Sequence, residues 1–224
     1  MHFNDVIQAS SDTVILSIID TLHQYGFDGL NIFLTWNMDS EFEALIHNLR
    51  LALTSNDGLL LTASVSATPA VIADSFQVDE IANNLDFLNV RTSEFDIFPA
   101  NPFFEQTKFA MESLLVKGAP AHKLNLGIAA YGEEFSIFPS FVDPGLTQIP
   151  GLGTYYKVCD GQHPSVWVSY DSIDIISAKV AYIEDNNFGG AFVMPIHLEN
   201  IDGINCSPGQ YSTIQNLRDV MDIW

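Results

Sequence analysis

The chain has 224 residues, 47% of them hydrophobic and 12% aromatic, enough for one large domain or two small ones with a substantial core. It carries 28 acidic against 8 basic residues, a formal net charge of −20, and no Lys/Arg cluster offsets this, which excludes nucleic acid and anionic membranes as partners. No apolar run approaches the roughly 20 residues of a membrane span, and the opening Met1-His2-Phe3-Asn4-Asp5 is polar, unlike a secretory leader. The acidic balance reads first as a solubility device, with a cationic partner or a Ca²⁺ surface as the sharper alternative.

Residues 3 to 25 are predicted to form a helix, because Val6, Ile7, Val14, Ile15, Ile18, Ile19 and Leu22 recur on one face. Gly26 suits the left-handed cap that ends it. Leu30 to Leu34 reads as a buried strand. Asp39 to Ala52 is helical, with Phe42, Leu45, Ile46, Leu49 and Leu53 on one side, and Asn56-Asp57-Gly58 is a turn. Leu59 to Val65 is a near-continuous apolar run, as in a parallel strand buried on both faces. A helix over Val78 to Leu85 precedes a strand over Phe87 to Thr92. Phe104 to Lys117 is a helix closed by Gly118, and Lys123 to Ala130 is a strand. Residues 138 to 166 are irregular and rich in Pro and Gly. Ile173 to Glu184 is helical, Gly190 to Leu198 a strand, and Tyr211 to Trp224 a terminal helix.

Strands and helices therefore alternate, which implies right-handed βαβ units and a parallel sheet of five strands. Periodicity alone leaves a doubly wound sheet and part of a (β/α)₈ barrel equally open. The six His residues show no metal spacing, and the Gly-containing turns at Asp143-Pro144-Gly145 and Pro150-Gly151 lack the Lys-Ser/Thr of a phosphate loop. No metal or cofactor is expected. Asn205-Cys206-Ser207 fits a glycosylation sequon, but the following Pro208 disfavours its use.

Six segments in register carry a family resemblance. Phe27-Asp28-Gly29 through Thr35 resembles the F-D-G-x-D-x-D-x-E strand of the family 18 glycoside hydrolases, the chitinases and their relatives. Gly58 to Ala67, Leu85 to Phe95, and Lys117 to Gly132 resemble the family's fifth, sixth and seventh strand regions. Trp167 to Asp171 resembles its W-V-x-Y-D, and Gly189 to Leu198 its eighth strand. The resemblance implies an α/β fold, a (β/α)₈ TIM barrel of chitinase type. Only its C-terminal five β/α units, strands four to eight, have counterparts over 1–224, and the α+β insertion between strands seven and eight is reduced to about 138–166. Strands one to three have no counterpart. A longer natural sequence, or a partner that completes the barrel, is expected on that ground, because an open barrel exposes long strand edges. Cys159 and Cys206 fall on positions that relatives pair, so the resemblance implies a disulfide and a secreted, extracellular protein.

The resemblance also says which chemistry to look for. The family's acid protonates the glycosidic oxygen, an Asp orients the substrate's acetamido group, a Tyr bonds its carbonyl and a Trp floors the sugar, in a substrate-assisted mechanism. Asp28 matches the family's opening Asp. The later acidic positions fall on Asn31, Phe33 and, for the general acid, Thr35. The strand-six Met, Tyr and Asp fall on Arg91, Ser93 and Glu94, and the floor falls on Met194, while Tyr131 is retained. A Thr hydroxyl cannot protonate a leaving group near neutral pH, and loss of a general acid costs about 10²–10⁴-fold. The expected protein is therefore catalytically inactive and binds chitin or N-acetylglucosamine glycans through Tyr131, Trp36 and Glu94. The alternative is a structural or assembly component of an extracellular complex. An active chitinase with its acid relocated to Glu94, Asp39, Glu133 or Glu199 ranks third. Arg91, inward by strand alternation, is expected to pair with Asp28, Glu94 or Glu199.

Overall fold

A computed structural model describes residues 3–34, 40–75, 77–92, 103–136, 166–199 and 212–221. In chain order the elements are α1 (Phe3–Tyr25), β1 (Gly29–Phe33), α2 (Ser40–Thr54), β2 (Leu60–Ser66), α3 (Pro69–Asp74), α4 (Val78–Asn84), β3 (Phe87–Arg91) and α5 (Phe103–Val116). Then come β4 (Leu124–Ala129), β5 (Gly132–Ser136), β6 (Val166–Tyr170), α6 (Ile173–Asp185), β7 (Gly190–Met194) and α7 (Ser212–Val220). Five strands form one sheet in the order β1-β2-β3-β4-β7. The recorded registers, from β1 to β4, are all parallel. Strands that lie side by side in chain order, with helices after β1, β2 and β3, are the (β/α) barrel arrangement, and the described sheet supplies five of its eight strands. That agrees with the barrel reading and removes the doubly wound one.

The terminal helix expected over Tyr211 to Trp224 is described over Ser212–Val220, with 222–224 outside the described residues; the other expected elements recur within a residue or two, with three differences. The eighth-strand region is shorter, because Gly190–Met194 gives way to a 3₁₀ turn at Ile196–Leu198. The six-residue helix α3 is too short to show periodicity and starts at Pro69. An antiparallel pair was also not anticipated: β5 pairs with β6 from Gly132↔Tyr170 to Ser136↔Val166. This ribbon closes the base of the Pro/Gly-rich segment, which itself lies outside the described residues.

The chain divides into two units, Met1–Glu94 with Thr107–Leu126 and Asn187–Gly190, and Phe95–Gln106 with Gly127–Asn186 and Ala191–Trp224. In the first unit, parallel register fixes which side chains share a face. Leu61, Ala63, Val65, Leu88, Val90, Leu124 and Leu126 lie on one face, all 2% exposed or less. Phe42, Ile46 and Leu49 of α2, Ile81 of α4 and Met111 and Leu114 of α5 are as deeply buried. Stripes at helical spacing on α2, α4 and α5 supply this core. In the second unit Ile128 and Ala130, with Ile176, Val180 and Ile183 of α6, are buried.

A charged network ties the strand starts of the first unit. Arg50 donates from Nη2 to Asp86 Oδ2 at 2.6 Å and from Nε to the Asn84 carbonyl at 2.6 Å. Asp86 Oδ2 also accepts the Leu61 amide at 2.7 Å. Burial pushes the Asp86 carboxyl up, but the Arg50 and Leu61 hydrogen bonds and the nearby cations outweigh it and hold the carboxyl below its ordinary value. Lys123 Nζ donates to the carbonyls of Ala82, Asn83 and Leu85, the C-terminal end of α4. These groups lie at the N-terminal ends of β2, β3 and β4, the side of a barrel concerned with stability.

Candidate functional site

The opposite face of the first unit's sheet is polar. Register places Asn31 beside Thr62 and Phe87, Phe33 beside Ser64 and Asn89, and Ser66 beside Arg91. Side chains alternate along a strand, so these residues all point away from the helix-covered core. Thr62 Oγ1 donates to Asn31 Oδ1 at 2.9 Å, and Asn31 Nδ2 donates to Ser64 Oγ at 3.1 Å. Asn125 Nδ2 donates to Asn89 Oδ1 at 3.1 Å. These three Asn residues thus hold their strands together through side chains as well as backbone.

At the C-terminal ends of β1 and β3 the face changes character. Arg91 is only 3% exposed and donates from Nη2 to the Leu34 carbonyl at 2.6 Å. Its guanidinium stacks on the Phe33 ring, 4.0 Å from the centroid. Phe33 itself is 50% exposed. A buried Arg keeps its charge, and the carbonyl and the ring's electron-rich face are two of the groups that meet it. The inward position expected for Arg91 is found. Of its expected partners, Asp28 precedes β1 at the opposite end of the strands. By register it sits about seven residues, roughly 23 Å, from Arg91, out of reach of an ion pair. Glu94 lies outside the described residues, and Glu199 is buried in the second unit.

In the second unit, Tyr131 follows β4 and is half-buried. The Ala130 amide donates to the Met194 carbonyl at 3.1 Å, so the retained Tyr131 is sequence neighbour to a residue bonded at the end of β7. Met194 is also half-buried. Asp171, just after β6, accepts Lys179 Nζ at 2.5 Å and the Ala129 amide at 3.4 Å. Lys179 and Asp171 are 3% and 9% exposed, so this is a buried ion pair on α6 that binds the antiparallel ribbon's exit to the end of β4. Lys179 was legible only as one more residue of an amphipathic helix. Thr35, Trp36, Asp39, Ser93, Glu94, Cys159 and Cys206 lie outside the described residues.

Glycosidic hydrolysis needs a carboxylic acid that reaches the leaving oxygen. Among the described residues of β1, β2 and β3 on this face, the one ionisable side chain is Arg91, whose proton is not available near neutral pH. What the face offers instead is an exposed aromatic ring, amides and hydroxyls.

The family model for glycosyl hydrolases family 18 matches residues 2–198. Human chitinase-3-like protein 2 is 26% identical over 276 aligned residues, covering 96% of this chain and 70% of that protein. Mouse chitotriosidase-1 is 29% identical, covering 99% of this chain and 60% of its own length. The chain thus spans between three fifths and seven tenths of these two curated relatives. A solved structure of human YKL-39, described as a pseudo-chitinase with retained chitooligosaccharide binding, matches with a TM-score of 0.80 at 24% identity, covering 97% of this chain and 76% of that one.

Proposed function

The chain belongs to the glycosyl hydrolases family 18, and from that premise we propose that it binds chitin or N-acetylglucosamine oligosaccharides without hydrolysing them. One observation carries this reading. Phe33, beneath the Arg91 guanidinium, stands where the family resemblance expects a carboxylate that orients the substrate. A hydrophobic ring capped by a cation can neither accept the acetamido N–H nor carry the negative charge that stabilises the developing oxazolinium. Thr35 in the acid's position adds the second missing group. Binding without turnover is said of human YKL-39, and this chain shares that protein's fold.

The reading extends to setting and outline. Cys159 and Cys206 form a disulfide, as in relatives, and the protein works outside the cell. The insertion at 138–166 is reduced. In support, the match to human chitinase-3-like protein 2 runs over 276 aligned residues against 224 in this chain, so that relative holds additional residues within the matched span. A structural role in an extracellular complex is the second reading. It is favoured by the burial of Arg91, 3% exposed and bonded to Leu34, which fills the strand ends with a fixed side chain.

The test is a pull-down on chitin beads with N-acetylglucosamine oligomers as competitors, with product release followed in the same samples. Saturable, competed binding without product is the expected result. Absence of binding favours the structural role, and product formation returns the chain to the hydrolases and requires an acid elsewhere.

A further inference from the structure

Among the described residues of the polar face, Phe33 is the aromatic ring most open to solvent, 50% exposed. We propose that its ring is a stacking platform for a β-linked pyranose chain, and that this site selects the sugar's flat C–H face rather than its acetamido group. The inference rests on the glycan-binding reading and names the ligand class that the same site would take.

Three features support it. First, Arg91 covers one side of the ring at 4.0 Å, and its hydrogen bond to the Leu34 carbonyl fixes that guanidinium. The ring is therefore held in one orientation before any ligand arrives, which lowers the ordering cost of binding. Half of Phe33 still meets solvent with Arg91 in place. A cation on one side also draws on the ring's electron density, so weakly polarised C–H groups, rather than a second full charge, suit the open side.

Second, Asn31 lies two residues before Phe33 on the same strand and the same face, and it is exposed. Its carbonyl accepts the Thr62 hydroxyl and one of its two N–H groups reaches Ser64. The other N–H remains to meet a sugar hydroxyl. An aromatic plane with a neutral amide one step along the strand, about 6–7 Å away, matches a pyranose ring and its hydroxyl rim.

Third, among the described residues of β1, β2 and β3 on this face there is no carboxylate, and the neutral acceptors are already engaged: Asn31 Oδ1 by Thr62 and Ser64, Ser64 Oγ by Asn31, Asn89 Oδ1 by Asn125 and Ser66 Oγ by the Thr68 amide. Groups that discriminate an N-acetylglucosamine unit from a glucose unit must pair with that amide, and a site that leaves it unpaired discriminates weakly. The equatorial C–H faces of both β-1,4-linked chains are the same. The site should then accept cello-oligosaccharides alongside chito-oligosaccharides.

The experiment is calorimetric titration of the full chain with chitohexaose and with cellohexaose, for the wild type, Phe33→Leu and Phe33→Trp. Leu keeps an apolar side chain over Arg91 and lacks the ring, and circular dichroism checks that each variant is folded. The expected result is that both hexaoses bind the wild type within about threefold of one another. Phe33→Leu weakens both by about tenfold, the loss of roughly 1.4 kcal/mol, and Phe33→Trp retains or tightens both. Wild-type binding of chitohexaose with cellohexaose at least about a hundredfold weaker overturns the loss of acetamido selection. Unchanged binding in Phe33→Leu overturns the platform while leaving the glycan-binding reading intact. Failure of the wild type to bind either hexaose overturns both.

Discussion

Asp86 shows how one carboxylate can be assigned a role by its partners. A single oxygen accepts both Arg50 and the Leu61 amide, and the carboxyl is held below its ordinary value. Asp86→Asn should cost about 1–2 kcal/mol, toward the lower end for a charged hydrogen bond because 34% of the side chain meets solvent. A folded-state value below the unfolded one means that the contribution is complete above the unfolded pKa, about 3.9, and is lost as pH falls through the lower folded value. Urea midpoints of wild type and Asp86→Asn should therefore differ by a constant amount from pH 5 to 8 and converge below about pH 4. Lys179 makes a stronger case, because its pair with Asp171 is buried. Lys179→Met leaves an uncompensated buried carboxylate and should cost about 3–5 kcal/mol, whereas adding Asp171→Asn to it should recover a large part. A double mutant no more stable than Lys179→Met would show that the charge itself is not what the pair neutralises. Asp171 was legible as part of a W-V-x-Y-D segment. Its partner was not, because a Lys eight residues along a helix gives no local sign that it is turned inward.

Among the elements, β1 depends on a close approach that the sequence marks with a glycine. A Cβ on Gly29 would lie 2.6 Å from the Leu60 Cβ and 2.8 Å from its carbonyl carbon, so β1 and β2 must separate to admit it. Gly29→Ala should lower the unfolding midpoint by an amount equivalent to about 1–3 kcal/mol and speed hydrogen exchange along β1 and β2 ahead of β3. Exchange unchanged in β1 would show that the strand accommodates the methyl by a rigid shift. Most elements were readable because their periods are clear: apolar stripes at three and four residues for α1, α2 and α6, and an uninterrupted apolar run for β2. Helix α3 and the β5–β6 ribbon were not. The first has six residues, too few for a period. The second pairs residues 30 to 38 apart across a Pro/Gly-rich segment, and nothing local announces such a pairing.

For the whole molecule the sign of the charge dominates. Among the described residues at least five of the chain's eight basic residues are engaged internally: Arg50 with Asp86, Arg91 with Leu34 and Phe33, Lys117 with the carbonyls of Ala73 and Ser75, Lys123 with α4, and Lys179 with Asp171. Most of the cations thus serve the fold's own carbonyls and carboxylates, and an excess of 20 negative charges is left to repel itself. The melting temperature should rise by several degrees between about 10 mM and 500 mM NaCl, as the screening length falls from about 30 Å to a few ångströms. A flat or falling profile would mean that the internal ion pairs, which salt weakens, outweigh surface repulsion.

The sequence by itself determined the order of strands and helices, the parallel sheet, the family and the substitution of Asn31, Phe33 and Thr35 along one strand. Each of these is written in residue type and spacing, which local sterics and burial translate directly into elements. The tertiary structure decided what those substitutions became. Asn31 is a cross-strand tether, Phe33 an open ring, and Arg91 its buried cap rather than a partner of Asp28. Those outcomes depend on register between strands that are 25 to 60 residues apart in the chain. Register is set by how whole helices pack on the sheet's far face, a sum over many contacts that no single segment contains.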